Sequence, residues 1–249
     1  MNTQYNKIIS SFVDQYKLSR GEVIAEIENS FSSILSKWHG QETVVMFGDD
    51  QLVALGYKKS LGLVNQTPID LTTMRGWNTI KRILDKNLSK AACLKEVAYY
   101  KQNEREMRWG EIIKKNLDGS FFVEIEVELG TRIIATCQSN HVGLHERDQL
   151  TVGQRRAFHL RRVDPVFLND TPRVKVTVDR VSKTLVEHLL QYQLSDRKAQ
   201  IHCLNRFVGH KSFVESNVFL PKRAILATSH ELKEHIQVTV VKTAQGCRN

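Results

Sequence analysis

The chain has 249 residues, of which 41% are hydrophobic and 25% are charged. This balance is ordinary for a globular protein and excludes disorder as the default state. No apolar run approaches the roughly 18 residues of a membrane span, and the first residues lack the basic start and apolar block of a signal peptide. We therefore expect a cytoplasmic protein that does not associate with a membrane.

The formal net charge of +9 is distributed unevenly along the chain. Residues 150–212 carry 12 lysines and arginines against 5 aspartates and glutamates, which accounts for most of the excess. Clustered positive charge is typical of proteins that bind a polyanion such as nucleic acid. The four cysteines lie far apart without a Cys-x-x-Cys pair, which argues against a zinc site and favours reduced thiols.

The first part of the chain predicts a helical and αβ domain. In "LSRGEVIAEIENSFSSILSKW", Ser19 and Glu22 have the spacing of a capping box, and apolar residues recur on one face of an amphipathic helix. Two short strand-like runs follow, separated by turn residues at positions 48–50. Residues 76 to about 107 show helical periodicity again, which predicts a long helix connecting two domains.

The next segment predicts a small β-barrel. "WGEIIKKNLDGSFFVEIEVELGTRIIATC" has the pattern strand, Asp-Gly turn, strand, turn and strand, and "TVGQRRAFHLRRV" adds another strand. Four or five short strands within about sixty residues are typical of such a barrel. After Pro165 the order becomes strand, helix, strand, strand, helix and strand, which predicts a mixed αβ domain.

Alternation along "GSFFVEIEVEL" places Phe122 on the polar face of its strand. Phe121 and the alternate apolar residues face the barrel interior, whereas Phe122 shares the outer face with three glutamates. An exposed aromatic ring on a barrel strand can stack on a base, an interaction worth about 1–3 kcal/mol. The alternative, that Phe122 packs under a loop or against another domain, stays open.

The strand within "LTVGQRRAFHLRRVD" carries four arginines and a histidine. The same alternation assigns Arg155, His159 and Arg161 to the outer face, where they would follow an RNA backbone. Arg156 falls on the inner face and therefore needs a position at the barrel rim or an acidic partner. Arg162 stays ambiguous, because the pattern changes register beside it and this change requires a bulge.

No pattern of an enzyme active site stands out. The chain has no Gly-x-x-x-x-Gly-Lys-Ser/Thr loop, no Gly-x-Ser-x-Gly elbow and no His-Glu-x-x-His helix. Asp49 and Asp50 occupy a turn, where Asp is favoured for local hydrogen bonding. His141 and His145 have no third ligand at a recognisable spacing. We therefore predict no enzymatic activity, no cofactor and no bound metal.

The barrel segments resemble the OB-fold RNA-binding module named after ribosomal protein S-one. "WGEI", "DGSFFVEI" and "TVGQRRAFHLRRVD" are similar to its opening Gly-x-Ile/Val, its Gly-x-Phe-Val strand and its late Val-Gly-Asp, with Gln154 in place of the Asp. The flanks narrow the resemblance to the family of the bacterial transcription factor NusA. "EVIAEIENSFSSIL" is similar to that family's first helix, and "LSKAACLKEVAYYKQNEREMRWGEI" to the connector before its barrel.

The last part of the chain resembles the first KH module of the same family. "VTVDRVSKTLVEHLLQYQL" is similar to its opening, with Asp179-Arg180 in place of Ser-Arg. "LNRFVGHKSFVES" is similar to its Arg-Glu-Pro-Gly segment and next strand, matching at Arg206 and Gly209. The Gly-x-x-Gly loop, which clamps a nucleotide backbone in KH modules, is missing from this sequence.

The resemblance implies an α+β multidomain protein: an N-terminal RNA polymerase-binding domain with a connector helix at residues 1–107, an OB fold at 108–166 and a KH-like domain at 167–249. It implies a factor of transcription elongation, termination or antitermination, with RNA polymerase, single-stranded RNA and other elongation factors as partners. The predicted RNA-binding residues are Phe122, Arg132, Arg155, His159, Arg161, Arg180, Arg206 and Lys211. The alternatives are an RNA-binding accessory protein of translation or RNA decay and, third, a ribonuclease.

Overall fold

The chain folds into two compact units with helices and sheets in both. A computed structural model describes residues 2–40, 42–48, 51–58, 63–68, 76–128, 130–169, 171–194 and 199–241. The first unit comprises Met1–Glu96 and Pro165–Arg173, and the second comprises Val97–Asp164 and Val174–Asn249. The predicted α+β class is confirmed. In the described ranges, no helix is long and apolar enough to cross a membrane.

The first unit combines helices with an antiparallel sheet. Its elements are α1 (Asn2–Tyr16), α2 (Arg20–His39), β1 (Thr43–Gly48), β2 (Gln51–Lys58), β3 (Leu63–Pro68) and most of α3 (Trp77–Lys101). The strands pair in the order β1-β2-β3. Buried apolar residues from α1, α2, β1, β2 and α3 form one core.

The predicted capping box at the start of α2 is confirmed. The hydroxyl oxygen of Ser19 accepts a hydrogen bond from the N–H of Glu22, and the Glu22 carboxylate accepts one from the N–H of Ser19. Two otherwise unpaired donors of the first turn are thereby satisfied. The helix ends at Gly40, whose φ of 62° lies in the left-handed region that glycine adopts without strain.

A closed five-stranded sheet, called here the barrel, is formed for the most part by residues of the second unit. Its strands are β4 (Met107–Lys115), β5 (Phe121–Glu128), β6 (Thr131–Cys137), β7 (Arg155–Leu168) and β8 (Thr171–Asp179). They close in the order β4-β5-β6-β8-β7. A 3₁₀ turn and a short helix, α4 (Leu144–Arg147), lie between β6 and β7. Phe121, Val123 and Ile125 are fully buried, as the alternation along β5 predicts.

The packing around Gly110 explains the glycine of the opening strand, and the pairing of β8 shows which strand closes the barrel. Gly110 of the "WGEI" motif lies where a Cβ atom would come within 2.5 Å of Val123 Cγ1, so the packed interior leaves room for glycine alone. Strand β8 was assigned from sequence to the domain at residues 167–249. In the structure it closes the barrel by pairing in parallel with β6, through Ala135 opposite Val176.

The rest of the described chain forms a smaller αβ layer, called here the C-terminal module. Its elements are α5 (Lys183–Tyr192), β9 (Ile201–Phe207), β10 (Lys211–Ser216), α6 (Lys222–Leu232) and β11 (His235–Val240). The sheet order is β11-β10-β9, with β9 antiparallel and β11 parallel to β10. Apolar residues of α5 pack on one face of this sheet, together with Ala157 of β7.

Candidate nucleic-acid interface

Phe122 lies on the outer face of the barrel, as the sequence predicts. It is half-buried and pairs with Lys114 of β4 on one side and with Thr136 of β6 on the other. The Lys114 ammonium nitrogen lies 5.9 Å from the centre of the Phe122 ring. A ring and a cation are therefore adjacent on the surface, which is the combination that single-stranded nucleic acids use for stacking and phosphate binding.

The same face also carries negative charge, which limits what Arg132 can do. Its guanidinium Nη1 atom lies 3.2 Å from a carboxylate oxygen of Glu124. Glu124 in turn pairs across the strands with Glu111. Arg132 is exposed, but its charge is already matched by a neighbouring carboxylate, so its attraction for phosphate is reduced.

The outer face of β7 is divided between solvent and a protein contact. Arg155 is exposed at the start of the strand and remains a candidate for phosphate binding. Ala157 and His159, which share its face, are buried. Ala157 belongs to the core of the C-terminal module. The middle of this face is thus occupied by the second unit's own packing and is closed to RNA.

His159 was predicted to contact RNA, and the structure corrects this. Its Nδ1 atom lies 3.2 Å from Asp179 Oδ2, and the side chain is almost completely buried. Arg161, half of whose side chain is exposed, lies 3.4 Å from the same carboxylate oxygen. Burial opposes ionisation of Asp179, but the hydrogen bond and charge of His159 and the N–H of Ser182 hold its pKa below the ordinary value. Asp179 therefore holds the side chains of His159 and Arg161 in place.

Arg156 and Arg162 also have acidic partners. Arg156 Nη1 lies 3.4 Å from a carboxylate oxygen of Glu231 on α6, so it has the acidic partner that its predicted inward position requires. Arg162 is exposed, and its Nε atom donates to Asp164 over 2.9 Å. In the described part of the chain, Arg156, Arg161 and Arg162 each form an ion pair with a carboxylate. Arg155 forms none there, although its neighbour across the strands is Glu111.

Arg180 was predicted as an RNA contact, whereas the structure places it in the interior. Its guanidinium group donates to both carboxylate oxygens of Glu146 on α4 over 2.7 and 2.8 Å. It also donates to the Glu231 carboxylate over 2.9 Å and to the carbonyl oxygen of Ala157 over 2.6 Å. Burial disfavours the charged form, but Glu146 and then Glu231 raise the pKa of Arg180 above its ordinary value. This buried cation joins the barrel to the C-terminal module.

His145 also joins the barrel to the C-terminal module. Its Nε2 atom lies 3.0 Å from the carbonyl oxygen of Leu232 at the end of α6. A Cβ atom at Gly209 would come within 2.6 Å of the imidazole ring, and the φ of Gly209 is +81°. A side chain at this position would therefore be strained and would also push against His145. Glycine is therefore the residue that fits at position 209.

Arg206 is likewise removed from the RNA-binding set. Its side chain is nearly inaccessible and forms a bidentate pair with Glu234 at 2.8 and 3.0 Å. Burial raises the pKa of Glu234, but the Arg206 pair and the N–H of Gly209 outweigh this and lower it below the ordinary value. Ser212 also donates to this carboxylate. Arg206 therefore stabilises the C-terminal module from within.

Lys211 occupies a more open position. It is half-buried, and its ammonium nitrogen lies 4.8 Å from the centre of the Phe213 ring. Phe207 is exposed and contacts Phe213 edge to face, with 6.3 Å between ring centres. Sequence reasoning missed both phenylalanines. The alternation in "KSFVES" sets Phe213 opposite to the buried Ser212 and would have identified it.

The described residues were compared with the requirements of a metal site and of a reactive thiol. No group of three or more His, Cys, Asp or Glu residues within it is arranged to hold a metal ion. Burial raises the pKa of Cys137 to about 12 and that of Cys203 to about 11, so both thiols are poor nucleophiles near neutral pH. The predicted turn residues Asp49 and Asp50 lie outside the described residues.

Comparison with known proteins adds no assignment. No protein-family model matches this chain, and no curated protein matches it significantly.

Proposed function

We propose that this chain is a NusA-like factor of transcription elongation, termination or antitermination. It acts in the cytoplasm by binding RNA polymerase and nascent RNA and catalyses no reaction. The observation that supports this best is the closed five-stranded barrel with Phe122 and Lys114 on its outer face. In this proposal the barrel is an OB fold of the S-one type, placed between a polymerase-binding unit and a KH-like module.

The RNA contacts of the barrel consist of one stacking residue and a few phosphate ligands. Phe122 stacks on a base, and Lys114 beside it binds a phosphate. Arg155, exposed at the start of β7, provides a second phosphate contact. Arg161 and Arg132 contribute less, because each already lies beside a carboxylate. The KH-like module does not use the usual clamp, since α6 follows Pro221 directly and the sequence lacks Gly-x-x-Gly.

The RNA-binding part of the proposal is tested with the full chain and a labelled single-stranded RNA. Phe122→Ala is expected to weaken binding by about 5- to 150-fold, the loss of one stacked base. Phe219→Ala is the matched control, because Phe219 is 88% exposed and lies outside the barrel. An affinity of the Phe122→Ala protein equal to that of the control would contradict a stacking role.

The polymerase-binding part is tested by co-purification with core RNA polymerase. Trp38 and Met46 are large apolar residues of the first unit with about half of their surface exposed, so they are candidate contacts for a protein partner. Met46→Arg is expected to abolish co-purification and to leave RNA binding unchanged. Leu117→Arg, in a fully exposed turn of the barrel, is the control. If the unmodified protein does not bind polymerase, this part of the proposal is contradicted.

An RNA-binding accessory protein of translation or RNA decay is the second candidate function. It is favoured by the same barrel surface, which would bind RNA whether or not polymerase is a partner. The two experiments separate the candidates. RNA binding that depends on Phe122, without any polymerase binding, favours the accessory protein, whereas cleavage of the RNA in the presence of Mg²⁺ or Mn²⁺ would favour a ribonuclease.

A further inference from the structure

The sheet of the C-terminal module has one packed face and one open face. On β10, Ser212, Val214 and Ser216 are buried, whereas Lys211 and Phe213 between them are only half-buried. The buried set faces α5 in the core of the module. On the other side no described element covers the strands, so the side chains that alternate with the buried set meet solvent.

Aromatic rings and a cation form the centre of this open sheet face. Phe213 lies in the middle strand, and Phe207 on β9 pairs with Lys211 beside it. Phe207 keeps 57% of its surface exposed, and the two rings meet at 81°. The Lys211 ammonium nitrogen lies over the Phe213 ring. Leaving two phenylalanines uncovered on a sheet is unfavourable in water, which suggests that the surface is covered by a partner when it functions.

Groups that can bind base edges surround the rings. Asn205 on β9 and Gln237 on β11 are the direct cross-strand neighbours of Phe213, and both are exposed. The Gln237 amide offers a donor and an acceptor, as the Watson–Crick edge of a base requires. The Asn205 side-chain oxygen accepts from Lys183 Nζ of α5 over 3.5 Å, which leaves its amide N–H groups as donors. His235 is the neighbour of Lys211 on β11 and is also exposed. An exposed sheet with aromatic residues in its centre and polar residues around them is a known geometry for stacking single-stranded bases.

The size of the open face distinguishes a nucleic acid from a protein as its occupant. Three strands of about six residues cover an area on the order of 280 Å² at ordinary strand spacings, which is well below the roughly 800 Å² per partner of a stable protein interface. Two or three bases fit such an area. Lys211 and the histidines His202 and His235 lie on this face, with Glu215 as its acidic member. The charges of Lys211 and Glu215 balance on this face, so the small area and the exposed rings favour a short single-stranded nucleic acid over a protein as the occupant.

We propose that the open sheet face is a second binding surface for single-stranded RNA, on which Phe207 and Phe213 stack two bases. The proposal rests on the proposed function, because it supposes that RNA is a ligand of this chain. A base that stacks on Phe213 takes the place now occupied by Lys211, whose ammonium group then binds a phosphate. The surface lies on the side of the sheet away from the helices, so it needs no Gly-x-x-Gly clamp between them.

The test measures binding of the full chain to a labelled oligouridine, with variants that keep the fold. Phe213→Leu preserves an apolar side chain but removes the ring, and it is expected to weaken binding at least about five-fold. Phe213→Tyr keeps the ring and is expected to bind as well as the unmodified protein. Lys211→Gln is expected to lower the salt dependence of log K by about 0.7 without abolishing stacking.

Four outcomes are distinguishable. Weak binding by Phe213→Leu together with normal binding by Phe213→Tyr supports the proposal. Normal binding by Phe213→Leu, with weak binding by Phe122→Ala, overturns it and leaves the barrel as the RNA site. An unmodified protein that binds no RNA contradicts the proposed function itself. A change of oligomeric state in Phe213→Leu without RNA would show that the face joins two copies of the chain, which also overturns the proposal.

Discussion

Replacing Arg180 by methionine is expected to destabilise the second unit strongly. The guanidinium group is completely buried and pairs with Glu146 and Glu231 at 2.7 to 2.9 Å. Its removal leaves the Glu146 carboxylate buried without a guanidinium partner, with the His145 ring 4.0 Å away. Breaking a buried ion pair from one side costs about 3–5 kcal/mol, because the remaining charge loses its compensation. For a unit of this size the melting temperature is expected to fall by on the order of 10 °C.

The assay is unfolding of the full chain in urea, with hydrogen exchange reporting on the barrel separately from the first unit. Arg162→Met is the matched control, since this arginine is exposed and pairs with Asp164 at the surface. Surface pairs contribute at most about 1 kcal/mol, so the control should remain close to the unmodified protein. Equal stabilities of the Arg180→Met and Arg162→Met proteins would refute the reasoning.

A double-mutant cycle isolates the pair from the general effect of truncation. Glu146→Gln alone should destabilise the second unit, because Arg180 then loses its bidentate partner. In the Arg180→Met background the same change removes an uncompensated charge, so part of the lost stability, about 1–3 kcal/mol, should return. Strictly additive effects would mean that the two side chains do not interact in solution.

Three further predictions concern the barrel interior, the capping box and pH. Gly110→Ala should cost about 1–3 kcal/mol through overpacking, because its Cβ would lie 2.5 Å from Val123 Cγ1. Thermal unfolding measures this, and an unchanged melting temperature contradicts it. Ser19→Ala should cost about 1 kcal/mol, seen as faster hydrogen exchange in the first turn of α2, while Ser19→Asp should retain the cap. Burial lowers the pKa of His141 and His188 below 6.5, so the unfolded chain binds more protons than the folded one just below that pH. The free energy of unfolding should therefore be highest above about pH 6.5 and decline as the pH falls through the lowered pKa values. A free energy of unfolding that stays constant over this pH interval would contradict the lowered pKa values of the two histidines.

The sequence predicted the barrel better than it predicted which barrel residues are available to a ligand. Strand alternation and the Asp-Gly turn are local signals, and they correctly identified the buried Phe121 and the outward Phe122. Alternation gives the face of a strand and not what covers that face. His159 does lie on the outer face of β7, yet it is buried with Asp179, 20 positions further along the chain.

The sequence failed to predict the burial of Arg180 and Arg206 for a related reason. Clustered arginines in a sequence suggest a basic surface, but carboxylates far away in the chain can neutralise them after folding. Arg180 pairs with glutamates 34 and 51 positions away, and Arg206 with one 28 positions away. No local pattern reports such partners. Part of the positive charge of residues 150–212 is therefore internal, where glutamates outside that segment balance it.

The difference between arginines that are paired with carboxylates and those that are not predicts how RNA binding depends on salt. The eight residues predicted from sequence include six lysines and arginines, which as phosphate contacts would give a slope of log K against log salt of about −4. Among the described residues, Lys114, Arg155 and Lys211 are the candidates that form no ion pair with a carboxylate, which reduces the expected slope to about −2. Stacking then provides most of the affinity, because it releases no counterions. A titration of oligouridine binding against salt measures the slope, and a value near −4 would mean that the paired arginines leave their carboxylates to bind RNA.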